Sequence, residues 1–268
     1  MSRLSPATYI MEDPREASRL ERKVDSDVWV KKYIQPYLFP GAEVLSVGCG
    51  PASILRALSM SPSVVSATGL DISHMRLRQA MERNQRNPKT RFSCGDARQM
   101  QFASDSFDVI YTRMLLQYVP DKEQVVNEMV RVCRPGGVVL MQDLDGQLLW
   151  HYPVNPELQA TLEQVVKGLG DSGFDAFVGR KLFSLARNAG LKNIHVQSEC
   201  YHLIAGESDP AILSQWELKL EIARPCLEQM LGSKQAAAEQ IERFLDYLKS
   251  PDTLTYSNVF TVTGEKPL

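Results

Sequence analysis

The sequence predicts an α/β fold built on a doubly wound sheet, and three observations carry that expectation. Short apolar runs alternate with amphipathic helical stretches between residues 43 and 142. The first run ends in Gly48-Cys49-Gly50, a turn able to open a helix. The second run ends on an acid, Asp71, about 20 residues further on, a spacing used by nucleotide-binding α/β sheets. Buried strands that alternate with helices imply a parallel sheet covered on both faces. Right-handed crossovers then place the strands' carboxyl ends on one edge, where ligands bind at the point of strand-order reversal.

The elements follow in order. Residues 15–34 are charged, with spaced apolar positions Leu20, Val24, Val28, Val30 and Tyr33, and predict one amphipathic helix before the main domain. Residues 43–47 form the first strand, and a helix runs through Ile54, Leu55, Leu58 and Met60. Residues 64–70 form a second strand, a polar helix spans 73–84, and a third strand covers 91–94. Residues 107–111 form a fourth strand, followed by a helix through Val125, Met129 and Val132. Arg134-Pro135-Gly136-Gly137 reads as a turn before a fifth strand at 138–142. A helix at 182–189, a strand at 194–203 and an alternating strand at 253–263 complete the pattern. Two helical stretches lie between. One runs through Leu213, Trp216, Leu220 and Ala223 to a stop at Pro225; the other runs through Ala237, Ile241, Phe244, Leu245 and Leu248. The expected organisation is a helical segment at 1–36 and one domain at 37–268. Insertions at about 146–178 and 205–252 exceed ordinary connections and are expected to cap the sheet.

Composition narrows the class. The 268 residues are 44% apolar and 23% charged, ordinary for a globular domain. The net charge of −2, with no basic run, argues against nucleic acid as a partner. No leader pattern opens the sequence and no apolar stretch approaches spanning length, so a cytoplasmic protein with no membrane span is expected. The five cysteines are scattered with no CxxC pair, which predicts reduced thiols and no metal site.

Three motifs carry chemistry. Glycines at 48 and 50 let a ligand approach the main chain at a helix start. A dinucleotide fingerprint needs a third glycine where Ser53 stands. Gly69-Leu70-Asp71-Ile72-Ser73 places a carboxylate where ribose hydroxyls are bound, while Ser73 is suited to cap the next helix. Cys94-Gly95-Asp96-Ala97 sets a second carboxylate after the third strand, either facing an adenine amino group or closing an Asx turn.

Taken together, VLSVGCG, GLDIS, CGDARQMQFASDSFDVIYTR and VCRPGGVVL resemble the class I S-adenosylmethionine-dependent methyltransferases. The likeness is closest to the small-molecule branch with ubiquinone/menaquinone C-methyltransferases and natural-product enzymes, and covers about residues 40–145. It implies a Rossmann-like seven-stranded sheet, mostly parallel with an antiparallel last strand, and S-adenosylmethionine as cofactor. By the same resemblance Gly48, Cys49 and Gly50 face the methionine moiety, Asp71 and Ile72 the ribose, and Asp96 and Ala97 the adenine. Arg113 pairs either with the cofactor carboxylate or with a structural acid. Ser46 stands where the family usually has an acid, and Ala52 where it usually has glycine. In relatives an N-terminal helix folds over the cofactor, which points to Tyr9 or Arg19 as closing residues or to a helix packed on the surface. Gly179-Arg180-Lys181-Leu182 is expected to fasten the cap to the sheet.

Methyl transfer from a sulfonium is an in-line displacement that needs alignment more than a triad. His151, just after the fifth strand, is the candidate general base, with His202 second. Thr112-Arg113-Met114-Leu115 lacks the Asn/Asp-Pro-Pro-aromatic motif of DNA amino-methylating enzymes and the metal-binding acid of catechol enzymes. Glu123 and Glu128 look like a helix face rather than the paired glutamates of protein-arginine enzymes. A small organic acceptor remains. Trp150, Tyr152, Phe174, Phe177, Tyr201 and Trp216 suit an apolar or aromatic one, or else form the cap's own core. A nicotinamide-dependent oxidoreductase and a non-catalytic cofactor-binding scaffold are the rival readings.

Overall fold

The computed structural model describes residues 12–85 and 87–268, with Gln147 and Leu148 described by backbone only. Seven strands form one sheet: β1 Ala42–Val47, β2 Val64–Asp71, β3 Thr90–Cys94, β4 Phe107–Arg113, β5 Cys133–Tyr152, β6 Lys192–Ala205 and β7 Leu254–Glu265. Their order is β3-β2-β1-β4-β5-β7-β6. The β1–β2, β1–β4, β2–β3 and β4–β5 pairs are parallel, and β7 is antiparallel to both β5 and β6. The order therefore reverses between β1 and β4, whose carboxyl ends open a crevice.

The described helices are α1 Glu16–Arg22, α2 Ser26–Tyr33, α3 Ser53–Ser59, α4 His74–Asn84, α5 Lys122–Val132, α6 Pro156–Asp171, α7 Leu182–Asn188, α8 Pro210–Leu231 and α9 Lys234–Lys249. Strand alternation sorts the core into two layers. Leu45, Val47 and Ile110 face one side and pack with Val125, Met129 and Leu182 of α5 and α7. Val44, Val109 and Tyr111 face the other, with Trp29, Leu55, Leu58 and Ala80 from α2, α3 and α4. A third cluster joins Leu158, Ile204, Trp216, Phe244 and Leu248, so α6, α8 and α9 form a cap with its own core.

The structure corrects the sequence reading at four places. Residues 15–34 form two helices, because Asp25 leaves helical geometry and its side chain accepts from the Val28 N–H at 3.0 Å, capping α2. Pro225 lies inside α8, which runs on to Leu231; one missing N–H is tolerated where the helix packs on α6 and α9. The fifth strand runs ten residues past Gln142, to Tyr152, so residues 146–152 extend the sheet before the cap begins. His151 and Tyr152 pair there with Thr255 and Leu254 of β7, beyond a register shift between Asp145 and Trp150. Arg134–Gly137 stays within β5 but is looped out, since Phe107 pairs with Cys133 while Val109 already pairs with Val138.

Candidate active site

The crevice at the switch point is a cavity of about 200 Å³. Its floor includes Ser46, Gly48, Cys49, Gly50, Asp71, Ile72, Gly95, Asp96, Ala97 and Arg113. The fold thus brings together all eight expected cofactor residues. Gly48 has φ +72°, a left-handed turn suited to glycine, and a Cβ there would stand 3.0 Å from the Leu115 methyls. Gly50 has φ +52° and open space where a Cβ would point.

Asp71 closes the loop onto β2. One carboxylate oxygen accepts from the Gly50 N–H at 2.8 Å and the other from the Ser73 N–H at 2.9 Å. Burial raises its pKa, and those two bonds pull against the rise. Each oxygen retains a lone pair for a further donor. Ser73 also caps α4, its hydroxyl accepting from the Arg76 N–H at 3.1 Å. Burial and the charge of Asp71 push the Cys49 thiol well up, so it stands in the wall as a neutral group. Ala52 has φ +62°, which explains the family's glycine there: an L side chain in that conformation costs about 1–2 kcal/mol.

Asp96 is held by Arg98, whose Nη2 donates at 2.7 Å and Nε at 3.0 Å. Burial raises its pKa, but the bonds from Arg98 outweigh this and hold the carboxyl below its usual range. Arg113 meets no acid among the described residues. Its Nε donates to Gln142 Oε1 at 3.0 Å and its Nη2 to the Tyr201 hydroxyl at 3.0 Å. Gln142 Oε1 also accepts from Trp29 Nε1 at 2.8 Å, and its amide donates to Thr261 at 2.7 Å. This buried amide ties α2, β4, β5 and β7 behind the cavity.

The opposite wall comes from the helices. Glu16, Arg19, Leu20 and Lys23 line it from α1 and its end, and Lys219 from α8. Glu16 and Arg19 form a buried ion pair at 2.6 Å. Arg19 thus lines the crevice from α1, while Tyr9 lies outside the described residues. Gln117 and Tyr118, in the turn after β4, complete the lining. Sequence reading missed Lys23, Gln117, Tyr118 and Lys219. The only available signal was that residues following β4 face the switch point.

His151 is not brought to this cavity. Its Nδ1 lies 2.9 Å from Thr255 Oγ1, and its ring stacks edge-on against Phe244 and Tyr247 beneath the cap. His202 lines an adjoining recess with Arg19, Arg22, Lys23, Tyr201 and Trp216. Burial and the nearby cations pull its pKa well down. Of the aromatic candidates, Tyr201 and Trp216 line that recess. Phe174 packs against Tyr118, Phe177 lies under Arg180, and Tyr152 is exposed. Arg180 pairs bidentately with Asp145 of β5 at 2.7 and 2.8 Å, fastening the turn before α7 to the sheet.

A parallel sheet with reversed order, a glycine loop after β1 and acids after β2 and β3 define a nucleoside-binding α/β enzyme class. Comparison with known proteins specifies it. A family profile described as Methyltransferase domain matches residues 45–141. The demethylmenaquinone methyltransferase of Lysinibacillus sphaericus is 30% identical over 168 residues, 58% of this chain and 72% of that protein. A 37.1 kDa protein from a Streptomyces fradiae transposon is 31% identical over 198 residues, covering 71% of this chain and 56% of its own length. Phosphoethanolamine N-methyltransferase 2 of Haemonchus contortus, solved with phosphomonomethylethanolamine and S-adenosylhomocysteine, shares the fold. Its TM-score is 0.64 at 16% identity, over 100% of this chain and 62% of that one. The chain spans about half the length of the first curated relatives it matches. It belongs to the class I S-adenosylmethionine-dependent methyltransferase family.

The residues present fit that cofactor. Gln117 Oε1 is buried on the cavity wall with no partner among the described residues, an acceptor suited to an ammonium donor. Ser46, in the usual acid's place, lines the cavity and brings no charge to it. Among the described residues no His/Cys/Asp/Glu cluster is placed to hold a metal, and no helix is long and apolar enough to cross a membrane.

Proposed function

We propose that this chain transfers the methyl group of S-adenosylmethionine to an O, N or C atom of a small organic acceptor by in-line displacement. The observation that carries the reading is the cavity itself. Its floor joins the glycine loop, Asp71 and the Gly95–Ala97 turn, and its other wall is helical, with Leu20 and Lys23 from α1 and its end and Lys219 from α8. The sulfonium supplies the leaving group and the driving force. The protein's task is to bind, align and exclude water.

On this reading Gly48, Cys49 and Gly50 receive the methionine end, Asp71 and Ile72 the ribose, and Asp96 and Ala97 the adenine. Gln117 accepts from the ammonium, since Ser46 brings no charge. Tyr118, Leu144 and the apolar parts of α1 flank the acceptor. His151, engaged with Thr255 away from the lining, has no role in this scheme, and the displacement needs no base when the acceptor atom holds a free lone pair. The free cysteines fit a reducing, cytoplasmic setting.

The test is incubation with methyl-labelled S-adenosylmethionine and fractionated small-metabolite extracts. Label in an extractable product is expected. Tight cofactor binding without label transfer to any fraction would support the scaffold reading instead.

A further inference from the structure

The roof of the cavity carries more positive charge than the described residues neutralise. Arg19, Lys23 and Lys219 line it from the helices, with Arg113 on the floor below, and Arg22 and His202 line the recess that shares Arg19 and Lys23 with the cavity. The anions nearby are few. Glu16 is engaged with Arg19, and Arg113 bonds only neutral groups, Gln142 and Tyr201.

Lys23 and Lys219 have no carboxylate within ion-pair distance among the described residues. The first eleven residues contain no Asp or Glu that could supply one. Each ammonium rests over an aromatic face: Lys23 Nζ is 5.3 Å from the Tyr201 ring centroid and Lys219 Nζ is 4.5 Å from that of Trp216. Arg15, at the start of α1, pairs with Glu221 in the middle of α8 at 2.9 Å, so the two lysines are presented by adjoining elements. Burial, with the charges of Arg19 and Arg113 beside Lys23 and of Lys23 and Arg19 beside Lys219, lowers both pKa values well below the ordinary lysine range. Holding these amines partly buried beside other cations disfavours their protonated form, an electrostatic cost that a bound anion relieves.

The cofactor does not relieve it. S-adenosylmethionine brings a sulfonium and an ammonium against a single carboxylate, so its arrival adds positive charge to the cavity. The balancing anion has to come with the acceptor.

We propose that the roof between α1 and α8 binds a carboxylate or phosphate group of the acceptor through Lys23 and Lys219, with Arg19 beside them. The substrate is therefore an amphiphilic organic anion. Its apolar or aromatic body lies along Leu20, Val24, Tyr118 and Leu144, and its charged end under the lysines. This rests on the methyl-transfer reading and specifies the substrate class for it.

The experiment uses the full chain saturated with S-adenosylhomocysteine. Phenyl phosphate, benzoate and phenol are titrated calorimetrically, at low and at raised salt. The anions are expected to bind at least ten-fold tighter than phenol, and to weaken with salt. The stronger of the two anions distinguishes phosphate from carboxylate. Lys219→Met and Lys23→Met are each expected to lose ten-fold or more in anion affinity, while Lys219→Met keeps S-adenosylhomocysteine affinity within about two-fold, which also reports that it folds. Equal binding of phenol and the anions, no binding of any probe, or unchanged anion affinity in folded variants would overturn the proposal. Failure of S-adenosylhomocysteine to bind in the first step would instead overturn the methyl-transfer reading. The wild-type comparison of anion with phenol stands even where a variant does not fold.

Discussion

Asp143→Asn gives a test that can be worked through in numbers. Asp143 lies on β5 behind the cavity and is 1% exposed. Its oxygens accept from the Leu144 N–H at 2.9 Å and the Gln117 N–H at 3.2 Å, so it holds the turn that presents Gln117 to the cofactor site. Burial pushes its pKa up to about 7 from 3.8, with those N–H groups pulling the other way. A carboxyl whose folded pKa is raised binds its proton more tightly in the folded state. Its contribution to stability is thus complete below about pH 4 and is lost as pH rises through about 7. At about 1.4 kcal/mol per pKa unit, the full swing is about 4 kcal/mol, of which about 3 kcal/mol falls between pH 5 and pH 8. Asparagine does not titrate, and it turns an amide donor toward a backbone donor. Urea unfolding followed by tryptophan fluorescence measures both proteins across this range. The wild-type advantage over Asp143→Asn should shrink by about 3 kcal/mol from pH 5 to pH 8, other groups cancelling in the difference. A difference that stays flat would refute the raised pKa. One that grows with pH would mean that the folded protein stabilises the carboxylate rather than the acid.

Three further outcomes follow from the same geometry. Asp71→Ala removes the acceptors of two backbone N–H groups but also a desolvated carboxylate, so thermal unfolding should register a loss of no more than about 2 kcal/mol. S-adenosylhomocysteine affinity should fall at least a hundred-fold by calorimetry, and equal losses of stability and affinity would mark Asp71 as purely structural. Gly48→Ala forces a side chain into φ +72° and against Leu115, with a cost of about 1–2 kcal/mol and weaker cofactor binding; an unchanged denaturation midpoint would contradict the strained turn. Gln142→Leu strands Trp29 Nε1 and removes a partner of Arg113, and should cost about 2–4 kcal/mol in chemical denaturation. A loss below 1 kcal/mol would show that the buried amide is dispensable.

The floor of the site was legible because it is local. Gly48, Gly50 and Asp71 sit at strand ends whose apolar runs are unbroken, and a parallel sheet brings such ends to one edge whatever the loops do. The N-terminal helix was misjudged where a local cap overrode amphipathic spacing: Asp25 interrupts a pattern that otherwise continues through Val24 and Val28. Pro225 misled in the opposite direction, because a local stop signal yielded to packing of α8 within the cap. The extension of β5 was hidden because its alternation breaks at the register shift after Asp145, and β7 restores the pairing from the far end of the chain. The roof was least legible. Lys23 and Lys219 read as ordinary solvated charges until the fold sets α1 against α8, and nothing in either neighbourhood encodes that contact.

The central claim is that the crevice between β1 and β4 is an S-adenosyl site. Isothermal titration of the folded protein with S-adenosylhomocysteine, and separately with NADH, tests it most directly. Saturable one-site binding of S-adenosylhomocysteine with no measurable NADH binding is the predicted result. A folded protein that gives no heat with S-adenosylhomocysteine, or that binds NADH as tightly, would contradict it.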